Sequence, residues 1–262
     1  GTINLLYTGD YKPQNVLLDI KPLPCWVYAL PNLTIITECT YGTTNSWDIE
    51  YKWKEDIINA CSENKIIFNN AFGQGRFQEL MYRIRKLEDE GLIPKDYPVK
   101  VDGSTGIDYT FRYISHSNVL RIKDEMKSFF PYNLQFVDNK SRPAVLEDKS
   151  GKIIIATSGM GTHGPAATYI PHFFSNPNVL IYFTGYTSEG SVGRAIYEAN
   201  HGDEVHFRNG KIVKKIARVE QTSEFSSHAK ADEIINFLNM FSPRSILLNH
   251  GEPSVKTTFE KR

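Results

Sequence analysis

The sequence has few cysteines and no arrangement that pairs them. Its three, Cys25, Cys39 and Cys61, form no Cys-x-x-Cys and are odd in number. That excludes a disulfide framework and a cysteine-built zinc ribbon, and a reducing, cytoplasmic setting is the expectation. There is no excess of either charge either: 30 Lys and Arg face 30 Asp and Glu. No global positive field points to nucleic acid, so any polyanion contact must come from local clustering. No apolar run approaches the roughly 18 residues a membrane helix needs, and no basic start followed by an apolar stretch marks a leader, so no membrane partner is expected. Internal repeats, low-complexity tracts and Pro/Gly-rich linkers are missing too. A second domain would therefore be inserted into the first and not tethered to it.

What is present, at 40% hydrophobic and 23% charged over 262 residues, is enough to bury a proper core. Short β-rich apolar runs alternate with amphipathic stretches, the pattern of a parallel sheet flanked by helices, and the fold class is α/β. Strands are predicted at 3–7, 33–37, 65–68, 99–102, 152–156, 179–183 and 245–248. Helices are predicted at 49–61, 76–90, 106–113, 119–129, 165–174, 191–199 and 229–240. Between Val205 and Val219 the period changes, and Asn209-Gly210 suggests a type I′ hairpin in a separate sheet. The opening Gly1-Thr2, running at once into Ile3-Asn4-Leu5, reads as a cut edge.

Open α/β sheets gather ligands beyond the carboxyl ends of their strands. Four strand ends there carry polar groups: Tyr7-Thr8-Gly9-Asp10, Thr37-Glu38, Thr157-Ser158-Gly159-Met160 and Asn249-His250-Gly251-Glu252. Each alone reads as a turn former or helix cap; together they suggest chemistry. The segment Phe225-Ser226-Ser227-His228-Ala229 is expected to open a helix, with hydroxyls suited to capping. A His228–Glu38 pair would hold an imidazolium ready to donate a proton. The Ser158–Gly161 turn offers backbone donors to a phosphate. Arg76 and Arg194 read either as charge-assisted contacts to a strand backbone or as ordinary salt-bridge residues. His163 reads as an exposed loop residue or a phosphate contact.

In order and spacing, Tyr7-Thr8-Gly9-Asp10, Glu38-Cys39-Thr40-Tyr41-Gly42 and Gly75-Arg76-Phe77-Gln78-Glu79-Leu80 resemble the β-CASP branch of the metallo-β-lactamase fold. So do Ser158-Gly159-Met160, Gly185-Tyr186 with Glu189-Gly190-Ser191-Val192-Gly193-Arg194, Phe225 to Ala229, and His250-Gly251-Glu252. This branch includes RNA-processing nucleases such as the cleavage and polyadenylation endonuclease and ribonuclease J. The resemblance implies a partial metallo-β-lactamase αβ/βα sandwich, at 1–48 and 187–262, with an inserted β-CASP domain at 49–186. It further implies that Asp10 bridges two zinc ions, that His250 is a terminal ligand, and that Glu38 orients His228 as the acid. A histidine at position 250 resembles the RNA-directed members, so RNA is the implied partner and phosphodiester hydrolysis the implied reaction.

One part of the family pattern is missing. No His-x-His-x-Asp-His run exists, and no two of His116, His163, His172, His201 and His206 have His-x-His spacing. The chain therefore reads as a carboxyl-terminal portion, expected to hold no zinc tightly and to be inactive alone; an uncovered apolar sheet face would invite a homodimer. Cys39 reads as a small buried filler. A non-catalytic scaffold of the same fold is the alternative, and a nucleotide-binding protein using the Gly159–Gly164 turn is a third reading that lacks the G-x-G-x-x-G spacing.

Overall fold

In a computed structural model, which describes residues 2–117 and 129–262, the chain divides into two compact units. One comprises Gly1–Glu50 with Ser226–Arg262, the other Tyr51–Phe225.

The larger unit is built on six parallel strands in the order β10-β7-β3-β6-β4-β5: β3 (Ile66–Asn70), β4 (Val99–Asp102), β5 (Leu134–Val137), β6 (Lys152–Ala156), β7 (Val179–Phe183) and β10 (Arg218–Gln221). β3, β6 and β7 are buried along their whole length, because helices cover both faces; hence their near-continuous apolar sequences. The covering helices are α2 (Trp53–Ser62), α3 (Arg76–Asp89), α4 (Ser104–Ser115), α5 (Arg142–Glu147), α6 (Ala166–Phe173) and α7 (Val192–Glu198). In α3 the buried Phe77, Leu80, Met81, Ile84 and Leu87 repeat at helical spacing and form one stripe. From β3 the chain passes to β4 on one side, whereas from its neighbour β6 it passes to β7 on the other. The connections leaving these adjacent strands thus run in opposite directions, which opens a crevice at their carboxyl ends.

The smaller unit carries three parallel strands in the order β1-β2-β11: β1 (Asn4–Tyr7), β2 (Leu33–Glu38) and β11 (Ser245–Asn249). One face packs Leu33 and Ile35 with Val27 of α1 (Cys25–Tyr28), Ile234 and Leu238 of α8 (Ala231–Leu238), and Phe259 of α9 (Pro253–Phe259). On its other face Leu5, Tyr7 and Leu247 are exposed. No helix among the described residues is long and apolar enough to cross a membrane.

Several expectations change. The larger unit runs to Phe225, past the return expected at 187, because β10 adds parallel to β7 (Val219 against Ile181) and completes that sheet. β8 (Glu204–His206) and β9 (Ile212–Lys214) do form a separate antiparallel pair. Their turn is not type I′, however. Only Gly210 has positive φ (+80°), Gly210 N–H donates to Phe207 O, and Phe207 N–H to Lys211 O, giving a longer loop with glycine in the left-handed position. α2 starts at Trp53 and not at 49, since a 3-10 turn at Ser46–Asp48 ends in an extended Ile49. The helix expected at 119–129 lies almost wholly outside the described residues.

Candidate metal and proton-transfer site

Parallel pairing of β1, β2 and β11 brings their carboxyl ends to one edge. Asp10 follows β1, Glu38 ends the central β2, and His250 follows β11, where Asn249 registers with Glu38. His228 arrives from the loop ahead of α8. It does not open that helix: α8 begins at Ala231, and Glu233, not a hydroxyl, accepts the Lys230 N–H at its start (2.8 Å). Ser226 Oγ instead accepts the His228 N–H at 3.1 Å, fixing the loop. Ligand atoms of Asp10, Glu38, His228 and His250 all lie within 4.8 Å of one another.

The four divide into two pairs. Glu38 is 2% exposed, and its carboxylate takes the His228 Nδ1–H at 2.7 Å on Oε2 and the Tyr11 N–H at 2.8 Å on Oε1. Burial alone would raise the Glu38 carboxyl; the bonds from His228 and Tyr11 outweigh it and hold the group below its ordinary value. Asp10 and His250 are half exposed, with Asp10 Oδ1 3.2 Å from His250 Nδ1. The two imidazoles stack at 5.3 Å.

Thr40, which sequence reasoning did not single out, joins the pairs. Its hydroxyl lies 2.9 Å from His250 Nδ1 and 3.3 Å from His228 Nδ1. No local pattern marked it: β2 ends at Glu38, and Thr40 lies in the turn that the Gly42 N–H closes on Cys39 O (3.3 Å). His250 itself has φ +42°, uncommon for a residue with a side chain, and is held there by the bond from Cys39 N–H to His250 O (2.9 Å). Cys39 is fully buried, and burial pushes its thiol up to about 11, as suits a filler.

A carboxylate and an imidazole are donors that zinc accepts, and Asp10 and His250 have free access to solvent, whereas both Glu38 oxygens are engaged. Two donors fit one side of a metal site; a catalytic zinc ordinarily takes three protein ligands.

Ser158, Gly159, Arg76 and Arg194 belong to the larger unit. Ser158 and Gly159 follow β6 at the crevice beside β3. Arg76 is 8% exposed: its Nε donates to Phe225 O at 3.1 Å and its guanidinium packs so closely under Gly185 that no Cβ fits there. Arg194 pairs with Glu198 one turn along α7 (2.6 Å).

Comparisons with known proteins identify the family. Residues 77–196 match the Beta-Casp domain model, and residues 212–262 match the Zn-dependent metallo-hydrolase RNA specificity domain. The chain is 27% identical to transcription termination factor FttA of Methanosarcina mazei, over 96% of this chain and 41% of that protein. It is 30% identical to FttA of Methanocaldococcus jannaschii (97% and 42%) and 27% identical to an RNase J-like protein of the same organism (95% and 58%). The chain thus spans about two fifths of the length of the FttA relatives it matches.

Proposed function

Because the chain belongs to the β-CASP family of the metallo-β-lactamase fold, we propose that it is part of a zinc-dependent ribonuclease that hydrolyses RNA phosphodiester bonds. The observation carrying this reading is the Asp10, Glu38, His228, His250 cluster, with its division into an exposed donor pair and a partly exposed imidazole held by a buried carboxylate.

Asp10 and His250 would hold metal, with further donors supplied by residues outside these 262. When bound, two zinc ions would supply positive charge that offsets the negative charge developing on the phosphoryl oxygens and would ease attack by water. The chain's own residues do the rest. Glu38, fixed by the Tyr11 N–H, holds His228 by Nδ1 and so leaves Nε2 as the atom that gives a proton to the leaving oxygen. Thr40 keeps the two imidazoles in register. Ser158, Gly159 and Arg194 would contact the RNA backbone, while the buried position of Arg76 favours anchoring over direct contact. Transcription termination, the role named for the FttA relatives, is one setting in which such cleavage would serve. The chain alone should hold no zinc tightly and cut nothing.

The test is His228→Ala in the complete protein loaded with zinc. Rate should fall by roughly 10²–10⁴ with RNA affinity unchanged. Equal losses in both would sink the acid assignment, and a complete protein that binds no zinc would favour the scaffold reading.

A further inference from the structure

The β8–β9 hairpin is held firmly at its base and left free at its tip. Val205 and Phe207 are buried in the core of the larger unit, Phe207 meeting Phe174 edge-on at 5.5 Å. Gly202 N–H donates to Lys215 O and closes the base. Arg208, Asn209 and Gly210 at the tip are exposed, as are Lys211 and Lys214. Toward the base, Lys214 is in register with the exposed Glu204, next to Asp203, so the unopposed positive charge is at the tip, on Arg208 and Lys211.

The tip bends over the Ser158–Gly164 turn. Arg208 Nη1 donates to His163 Nε2 at 2.9 Å, because a guanidinium only donates, and His163 Nδ1 lies 2.9 Å from Thr162 Oγ1. Among the described residues no carboxylate pairs with Arg208, and no other hydrogen bond engages it. A cation tethered to an imidazole has its geometry fixed and its charge unanswered.

The turn under it leaves matching groups unused. It leaves β6 beside β3, where the connections diverge. Asn70, fully buried at the end of β3, has no partner for either amide atom among the described residues, and Nδ2 stands 3.2 Å from where a Cβ on Gly161 would be. Ser158 Oγ, in the same turn, is likewise unpartnered. Buried polar atoms are normally satisfied, so this end of the sheet is short of a polar partner.

We propose that Arg208, positioned by His163, binds a backbone phosphate of single-stranded RNA at the carboxyl edge of the six-stranded sheet, with Lys211 strengthening the field. The planar guanidinium suits a phosphate better than a lysine would, since two parallel N–H bonds reach two oxygens. This rests on the reading of the protein as RNA-directed.

The experiment measures anisotropy of a labelled oligouridylate with the 262-residue chain across a salt series. The unaltered chain should bind, with log K falling linearly with log salt. Arg208→Gln should weaken binding about 5–10-fold at low salt and make the slope shallower by about 0.7, the value for one lost phosphate contact on a single strand. Arg208→Lys should keep the slope and lose part of the affinity; His163→Ala should weaken binding less than Arg208→Gln, also at constant slope. Arg112→Gln removes the same charge from an exposed α4 pair with Asp108 and should change neither. Binding by the unaltered chain that Arg208→Gln reduces no more than Arg112→Gln overturns the proposal and leaves the RNA reading standing. No binding by the unaltered chain overturns both. Thermal midpoints of all variants should match, as Arg208 lies on an exposed tip.

Discussion

The Glu38 carboxylate is shared between two donors: His228 Nδ1 at 2.7 Å on one oxygen and the Tyr11 N–H at 2.8 Å on the other. Glutamine has only one carbonyl oxygen. In Glu38→Gln, if that oxygen keeps the Tyr11 bond, an NH₂ faces His228 Nδ1 and forces this nitrogen to accept. The proton then moves to Nε2 in the resting ring and the imidazole cannot be charged favourably. In the zinc-loaded complete protein, single-turnover cleavage should slow by roughly 10²–10⁴, with RNA dissociation constants within about twofold. A matching loss of affinity would show that Glu38 only maintains the fold.

Thr40 offers a subtler test of the same edge. Its hydroxyl touches both imidazoles, and groups that orient a ligand typically carry tenfold to a hundredfold in metal affinity. Thr40→Val keeps the shape and removes the hydroxyl. Zinc affinity of the complete protein, read by competition with a chromogenic chelator, should drop by about 10–100-fold, and Thr40→Ser should recover most of it. Unchanged affinity in the valine variant would leave Thr40 without a positioning role.

The place of His250 depends on its neighbour. A Cβ on Gly251 would stand 2.6 Å from Cys39 O, on the same stretch of backbone that receives His250 through the Cys39 N–H. Gly251→Ala must push β11's end away from β2's. It should destabilise the chain by about 1–3 kcal/mol, seen as a lower urea midpoint at constant m, as overpacked cores do. A midpoint equal to the parent's would mean the segment yields freely.

Much of this was legible because strands leave strong local signals. β3, β6 and β7 announce themselves as unbroken apolar runs, and parallel pairing then obliges Asp10, Glu38 and His250 to share an edge. What escaped was short or non-local. α1, α5 and α9 bury one residue each, Val27, Val145 and Phe259, too few to show a helical period. β5 is a four-residue strand at the sheet's edge. β10 looked like a continuation of the hairpin, because its pairing with β7 is set by the whole sheet and not by its own four residues. Thr40 and Arg208 were unreadable for the same reason: each matters through a partner, His250 or His163, that the fold alone brings near.

Stability should also record a buried acid remote from the chemistry. Glu88, on α3, is fully buried; its Oε2 accepts the Tyr132 N–H at 3.0 Å, while Oε1 has no partner among the described residues. Burial pushes its carboxyl from 4.5 up to about 7, with the Tyr132 bond and the Arg85 charge opposing. Between these values the folded chain holds a proton that the unfolded chain has released. Stability from this group is therefore complete below about 4.5 and is lost as pH rises toward 7. Glu88→Gln keeps an oxygen for Tyr132 and cannot ionise. Urea unfolding of parent and variant from pH 4.5 to 8.5 should give a difference that moves steadily in the variant's favour across that window and is flat above it. Parallel profiles would mean that Glu88 ionises alike in both states, and that water reaches it in the folded chain.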